Sequence, residues 1–253
     1  MKKNFIKKLG AAIFWLLLWQ IIYIIVSQDL LIVSPYGTVK RLFELMGEWQ
    51  FWQIVSGSFL RIMTGFLLAV IVGCLLAFVS GISEIAETLI APIMGVIKST
   101  PVASFIILAL IWIKSTYLSI FISFLMVLPL IWSNILHGIK NIDTELLEMA
   151  KVYRFTRRKK LRLIVFPSVF PYFLSACTTG LGFAWKSGIA AEILGLPKNS
   201  IGVQLNNAKI YLETPDLFAW TLVVILFSIA LEKAFLFLSN RLKNKLVHLP
   251  KGV

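Results

Sequence analysis

Apolar residues run through this chain in long, nearly unbroken stretches, not in the short alternations of a soluble core. A helix rising about 1.5 Å per residue needs about 20 mostly apolar residues to cross the hydrocarbon of a bilayer. Six stretches meet that requirement, at 9–27, 59–80, 87–113, 117–139, 167–193 and 217–239. The third contains Thr100-Pro101, where a proline breaks or kinks a helix. The first follows a basic opening segment. Its apolar core of 19 residues exceeds that of a signal peptide, and no small-residue cleavage motif follows, so it reads as an uncleaved span. Segment 28–58 carries Ser34-Pro35-Tyr36-Gly37 and an amphipathic pattern to Met46, a turn and a surface helix. Segment 194–216, with Gly195, Pro197, Gly202 and Pro215, reads as a loop with short helical pieces. Segment 140–166 is charged. It nevertheless keeps apolar residues from Leu146 to Val165 at near-helical spacing, which predicts two short amphipathic helices.

Composition agrees. Of 253 residues, 58% are hydrophobic and 15% charged, with a mean hydropathy of +0.86; a soluble domain carries about 25% charged residues. An ordinary soluble globule and a disordered chain are excluded. The fold expected is an all-α integral membrane protein with six transmembrane helices. The net charge of +13 raises nucleic acid as a partner. Its distribution argues otherwise. If the N-terminus is cytoplasmic, sixteen of the 25 lysines and arginines fall on the cytoplasmic side, eight of them within 140–166. The positive-inside rule then predicts a multi-pass membrane protein with both termini cytoplasmic, and no nucleic-acid partner. Cys74 and Cys177 lie in apolar runs as packing residues. His137 and His248 have no ligand spacing around them, so no metal site is expected.

Small residues form stripes. Gly65, Ala69, Gly73, Ala77 and Gly81 recur every fourth position in the second span, on one slowly drifting helix face. In the fifth span Ala176, Gly180, Ala184 and Gly188 form one stripe, and Thr178, Gly182, Lys186 and Ala190 another on the far side. Small residues let helices approach closely in lipid, so the fifth span is expected to be packed on both sides. A charge inside a span marks either a functional site or an ion pair. Lys186, with Ser187, is a candidate for the solute pathway, or an ion-pair partner of Glu192, itself a pathway candidate. Lys98, before Thr100-Pro101, is a further pathway candidate or a partner at the helix break.

The sequence has no phosphate-binding loop of the form G-x-x-x-x-G-K-[ST], no metalloprotease motif and no nucleophile–base pair. Six spans alone suit a dimeric pore, a gradient-driven secondary transporter or channel, or an integral-membrane enzyme. A gradient-driven carrier calls for inverted repeats or acidic relays, and an enzyme for clustered polar groups at one depth. Neither pattern is evident.

One motif discriminates. Glu148-Met149-Ala150-Lys151-Val152-Tyr153-Arg154, followed by Ile164-Val165-Phe166-Pro167, resembles the EAA loop of ABC importer permeases, E-A-A-x-x-x-G and later I-x-L-P. Glu148, Ala150, Ile164 and Pro167 keep their places, while Met149, Arg154 and Phe166 depart from the pattern. Ser58 to Phe66, Lys98 to Pro101, and Ala184-Trp185 with Ala190 to Gly195 are similar to further segments of that family. The last of these, with Ser34-Pro35, resembles its nitrate/sulfonate/taurine branch.

The resemblance implies one type I ABC importer permease domain over 1–253: a first helix and outer loop to 56, a core over 57–239 containing the coupling loop 140–166, and a cytoplasmic tail from 240. It implies no catalysis and no cofactor in this chain, since ATP and Mg would be bound by a partner ATPase. Implied partners are a cytoplasmic ATPase dimer, a second permease copy, an extracytoplasmic substrate-binding protein and the bilayer. The solute would be a sulfonate, taurine, nitrate or similar small molecule, with a thiamine-precursor-like solute as the alternative. Leu146, Leu147, Glu148, Ala150, Tyr153, Arg154 and Pro167 become the expected ATPase-coupling residues. Arg154 stands where the family has glycine, which permits a positive-φ turn that arginine adopts poorly. Either the turn is built differently, with Thr156 capping the second helix, or the helix continues.

Overall fold

The computed structural model describes residues 2–28 and 30–247. His248 and the end of the expected tail lie outside the described residues. Among those described, every regular element is helical: α1 (Lys2–Val26), α2 (Pro35–Met46), α3 (Trp49–Ile82), α4 (Glu84–Ser99), α5 (Val102–Ala109), α6 (Ser115–Lys140), α7 (Thr144–Val152), α8 (Arg157–Lys160), a π-helical segment (Leu161–Val165), α9 (Phe166–Gly195), α10 (Ile201–Ile210) and α11 (Thr214–Val247). Five helices are long and apolar enough to cross a membrane, and the pair α4 and α5 makes a sixth if counted as one span.

Several boundaries differ from the sequence expectation: α1 starts at Lys2, α11 continues to Val247 through the start of the expected tail, and three further differences have a local cause. The second span starts ten residues early, because Phe51, Ile54, Val55 and Ser58 already fall on one buried helical face and the helix begins at Trp49. The third is not a straight span: α4 and α5 meet at 101°. Pro101 has no N–H to continue α4, and Thr100 takes an extended conformation. The second short helix of 140–166 is not separate either. Arg157–Gly195 is one continuous helix of 39 residues. Proline inside a helix removes a hydrogen bond and crowds the carbonyl four residues back. Ahead of Pro167 the helix widens into the π segment, where the Phe166 N–H bonds to the Leu161 carbonyl.

The chain forms two compact units, 1–58 with 196–227, and 59–195 with 228–253. In the first, Ser34 caps α2 by accepting from the Gly37 N–H at 3.0 Å, with Pro35 at the first helical position. Arg41 of α2 pairs with both Asp216 oxygens, at 2.5 and 3.1 Å. The hydrogen bonds to Asp216 raise the arginine pKa and outweigh the opposing effect of burial. Phe51 stacks on Trp220 at 5.1 Å, and the Ile201 N–H donates to Ser58 Oγ at 2.9 Å.

The second unit is built on α6, which packs against α9 along much of its length. The stripe on α3 meets α6 from the other direction. A Cβ on Gly73 would lie 2.8 Å from Ile131, and one on Gly81 would lie 2.9 Å from Ile139. On α9, a Cβ on Gly188 would fall 2.6 Å from both Ile62 Cγ1 and Ser123 Oγ. Ala69, Ala77, Ala176 and Ala184 are buried in the same seams. Ser123 Oγ donates to the Ala184 carbonyl at 3.1 Å, and Trp132 Nε1 to Ser80 Oγ at 3.0 Å, which satisfies these groups, whereas the buried Ser119 Oγ of α6 has no hydrogen-bond partner among the described residues. The second α9 stripe is different. Lys186 is exposed, and a Cβ on Gly182 would meet nothing within 4 Å. Among the described residues this side of α9 is only partly covered, with Thr178, Gly182 and Ala190 half-buried, where the sequence predicts a helix enclosed on both sides.

These two glycines supply a paired test. Gly188→Ala should lower stability by about 1–3 kcal/mol, as overpacking does. Gly182→Ala should be neutral or slightly stabilising, because helix propensity improves without a clash. Thermal unfolding of the detergent-solubilised chain, followed by size-exclusion recovery, distinguishes them.

Candidate functional site

Segment 140–166 folds as a helix–turn–helix with a small core of its own. Asp143 caps α7 by accepting from the Glu145 N–H at 2.9 Å. The turn after α7 is closed by two bonds: Arg154 N–H to the Lys151 carbonyl at 3.1 Å, and Phe155 N–H to the Ala150 carbonyl at 2.9 Å. This is the Schellman pattern, which requires a left-handed residue at the position after the C-cap. Arg154 occupies it, with φ of 50°. Arginine therefore takes the conformation that glycine would take, at a cost of about 1–2 kcal/mol. Thr156 also caps the helix that follows, accepting from the Lys159 N–H at 3.4 Å. Both of the earlier alternatives assumed that Arg154 would avoid this conformation. What offsets the strain is the packing it permits, since Phe155 joins Ile142, Leu147, Ala150, Ile164, Val165 and Val169 in one apolar cluster.

That cluster sorts the expected coupling residues. Ala150 is buried in it and Leu147 packs against it half-buried, so the element's own core takes all of the first and part of the second. Leu146 and Tyr153 face outward, as does Glu148, which makes no hydrogen bond or ion pair among the described residues. Met149 and Val152 are also exposed. Sequence reasoning left these two out of its coupling set, although their i, i+3 and i+6 relation to Leu146 was available. Pro167 is exposed just beyond the π segment. At the base, Lys140 at the end of α6 pairs with Glu87 of α4 at 2.6 Å.

The pathway candidates divide too. Glu192 is fully buried and accepts from Arg61 of α3, from Nη2 at 2.9 Å and Nε at 3.1 Å. Its partner is thus Arg61 and not Lys186, and it presents no free surface to a solute. Ser187 is buried, with its hydroxyl donating to the Phe183 carbonyl at 2.8 Å. Lys98 is exposed at the end of α4 and donates to Ser133 Oγ at 3.0 Å. Lys186 is exposed and makes no hydrogen bond or ion pair among the described residues. It lies on the same open side of α9 as Ser175, Thr179 and Gly182. Of the four candidates, only the two lysines remain available. Arg61 was the residue missed. Two opposite charges inside apolar runs signalled a pair, but the spacing did not say which cation Glu192 would choose.

Residues 65–247 match the family described as binding-protein-dependent transport system inner membrane component. The chain belongs to that family. It is a permease of a binding-protein-dependent ABC importer, in the inner membrane, and carries out no catalysis; ATP is bound by a partner ATPase. The taurine transport system permease protein TauC of Escherichia coli (strain K12) is 23% identical to this permease over 230 residues, covering 88% of this chain and 83% of that one. SsuC of the same strain, described as an aliphatic sulfonates transport permease protein, is 30% identical over 182 residues, covering 72% and 69%. Among solved structures, a bacterial alginate ABC transporter in complex with an alginate-bound periplasmic protein has a chain of the same fold. Its TM-score is 0.56 at 15% identity, over 98% of this chain and 96% of that one.

The strained turn makes a prediction. Arg154→Gly should keep solute-stimulated ATP hydrolysis near the unsubstituted level, because the relief of strain is offset by about 0.5–1 kcal/mol of added chain entropy. Arg154→Val should lower it, since a β-branched residue resists positive φ. Hydrolysis by the reconstituted complex reads both.

Proposed function

We propose that this permease works as a homodimer that imports a small anionic sulfonate such as taurine, and that it takes its drive from the ATPase through α7. The reading is supported above all by one observation: Leu146, Met149, Val152 and Tyr153 form an exposed apolar stripe on a short helix whose other face is sealed by its own core. An apolar stripe held out from a rigid turn suits insertion into a groove on a partner subunit. Glu148 lies beside the stripe, free to meet a donor on the ATPase. The concentration of lysine and arginine in 140–166 supports a cytoplasmic position for this turn, with both termini on the same side.

Two observations support the rest. The open stripe of α9, with Thr178, Gly182 and Ala190, suits the approach of a second copy or the wall of a solute path. Lys186 is a cation on that stripe without a partner among the described residues, and a sulfonate would neutralise it. The likeness to TauC and SsuC favours the same solute class.

Two experiments test these points separately. Val152→Asp with Tyr153→Asp should abolish co-purification of the ATPase while leaving the permease inserted; undiminished co-purification removes α7 from the interface. Lys186→Glu should reduce taurine or alkanesulfonate uptake into proteoliposomes by at least about tenfold, since like-charge juxtaposition costs several kcal/mol. Uptake of a thiamine-precursor-like solute in place of any sulfonate would overturn the solute assignment.

A further inference from the structure

The long helix that leads from the coupling turn into the span begins with Arg157, Arg158, Lys159 and Lys160, and Arg162 follows. Consecutive residues are separated by about 100° around a helix, so these cations do not share a face: they encircle the axis. Arg157, Arg158, Lys159 and Arg162 are exposed and Lys160 is half-buried. None forms an ion pair among the described residues; Lys159 only lies over the Phe155 ring, at 4.4 Å. No Asp or Glu occurs between Glu148 and Glu192 to balance them. Directly after this ring the same helix exposes Leu161, Leu163 and Phe166. At about 1.5 Å per residue the change from full charge to an apolar surface takes under 15 Å.

A helix that docks on a protein uses one side, and charge on its other sides adds nothing to the contact. Here one side is taken by Ile164 in the turn's own core, and the cations on the remaining exposed sides, immediately above an apolar surface, suit a helix that meets anions at the level where hydrocarbon begins. We propose that this collar binds the phosphates of anionic phospholipid headgroups, and that it thereby selects anionic over zwitterionic lipid around the start of the long helix. The proposal rests on Arg157–Gly195 crossing the bilayer, and not on ATPase docking or on the solute.

Native mass spectrometry of the detergent-solubilised importer complex, titrated with phosphatidylglycerol or phosphatidylcholine, tests it. Phosphatidylglycerol should be retained preferentially, and less so as salt is raised. Arg158→Gln and Lys159→Gln should each weaken its retention about fivefold and leave phosphatidylcholine unchanged. The doubly conservative Arg157→Lys, Arg158→Lys chain should keep the preference, which separates loss of charge from loss of fold. Equal retention of the two lipids, or glutamine variants that hold phosphatidylglycerol as tightly as the parent, overturns the proposal. So does displacement of the lipid by an equal concentration of soluble glycerophosphate. Loss of the ATPase from the glutamine variants with lipid selectivity intact also overturns it and assigns the collar to protein docking.

Discussion

Lipid tails are as apolar as leucine, so helices in a bilayer are held by the closeness of their contact more than by expulsion from water. In this chain that closeness is set by glycine and alanine on α3 and α9, both pressed against α6. Where Gly65 meets the Ile120 carbonyl, or Gly188 meets Ile62 and Ser123, a single added methyl has no room. The polar contacts of the second unit depend on that spacing. The Ser123 hydroxyl reaches the Ala184 carbonyl only because the two backbones are near neighbours. Arg61 and Glu192 meet in the same way, from α3 and α9. Two charges buried together gain little over a well-packed apolar pair, but separating them is costly. Their effect is to fix which turn of α3 lies against which turn of α9, a choice that regularly repeated small residues leave open.

The same helix joins the two candidate sites. From Arg157 to Gly195 there is no loop, so the turn closed by Arg154 and Phe155 is joined directly to the open stripe around Lys186. The turn is also internally fixed, by two backbone bonds, a cap at each helix start and an apolar cluster. An element so constrained moves as a body. Its outward stripe is held in a fixed relation to the start of the long helix, and the Lys140–Glu87 pair ties its base to α4.

Features governed by local periodicity were legible in the sequence. The apolar runs marked the spans, fourfold spacing marked the packed stripes on α3 and on one side of α9, and the EAA-like residues marked the helix–turn–helix of 140–166. Features governed by tertiary partners were not. The side of α7 that would be covered depended on Ile142, Ile164 and Val169, which lie outside it. Glu192 had Arg61 and Lys186 as possible cations at distances no pattern encodes. Pro101 announced a break but not its angle, because proline removes a bond without dictating the direction in which the chain departs. Arg154 is the reverse case. Its intrinsic preference argued against the glycine conformation, and the burial of Phe155 overrode it.

Pro167 and Pro171 add one more consequence. Neither has an N–H, and the π turn before them lengthens the ladder bond from Leu161 to Phe166. A rod with rungs missing over two adjacent turns is most compliant there. Force applied along its axis still reaches the far end, but bending and twisting are absorbed locally. The long helix is therefore a push-rod with a universal joint. If the turn is the point of drive, as proposed, a displacement there would be carried along the axis toward Lys186, with bending taken up at the two prolines.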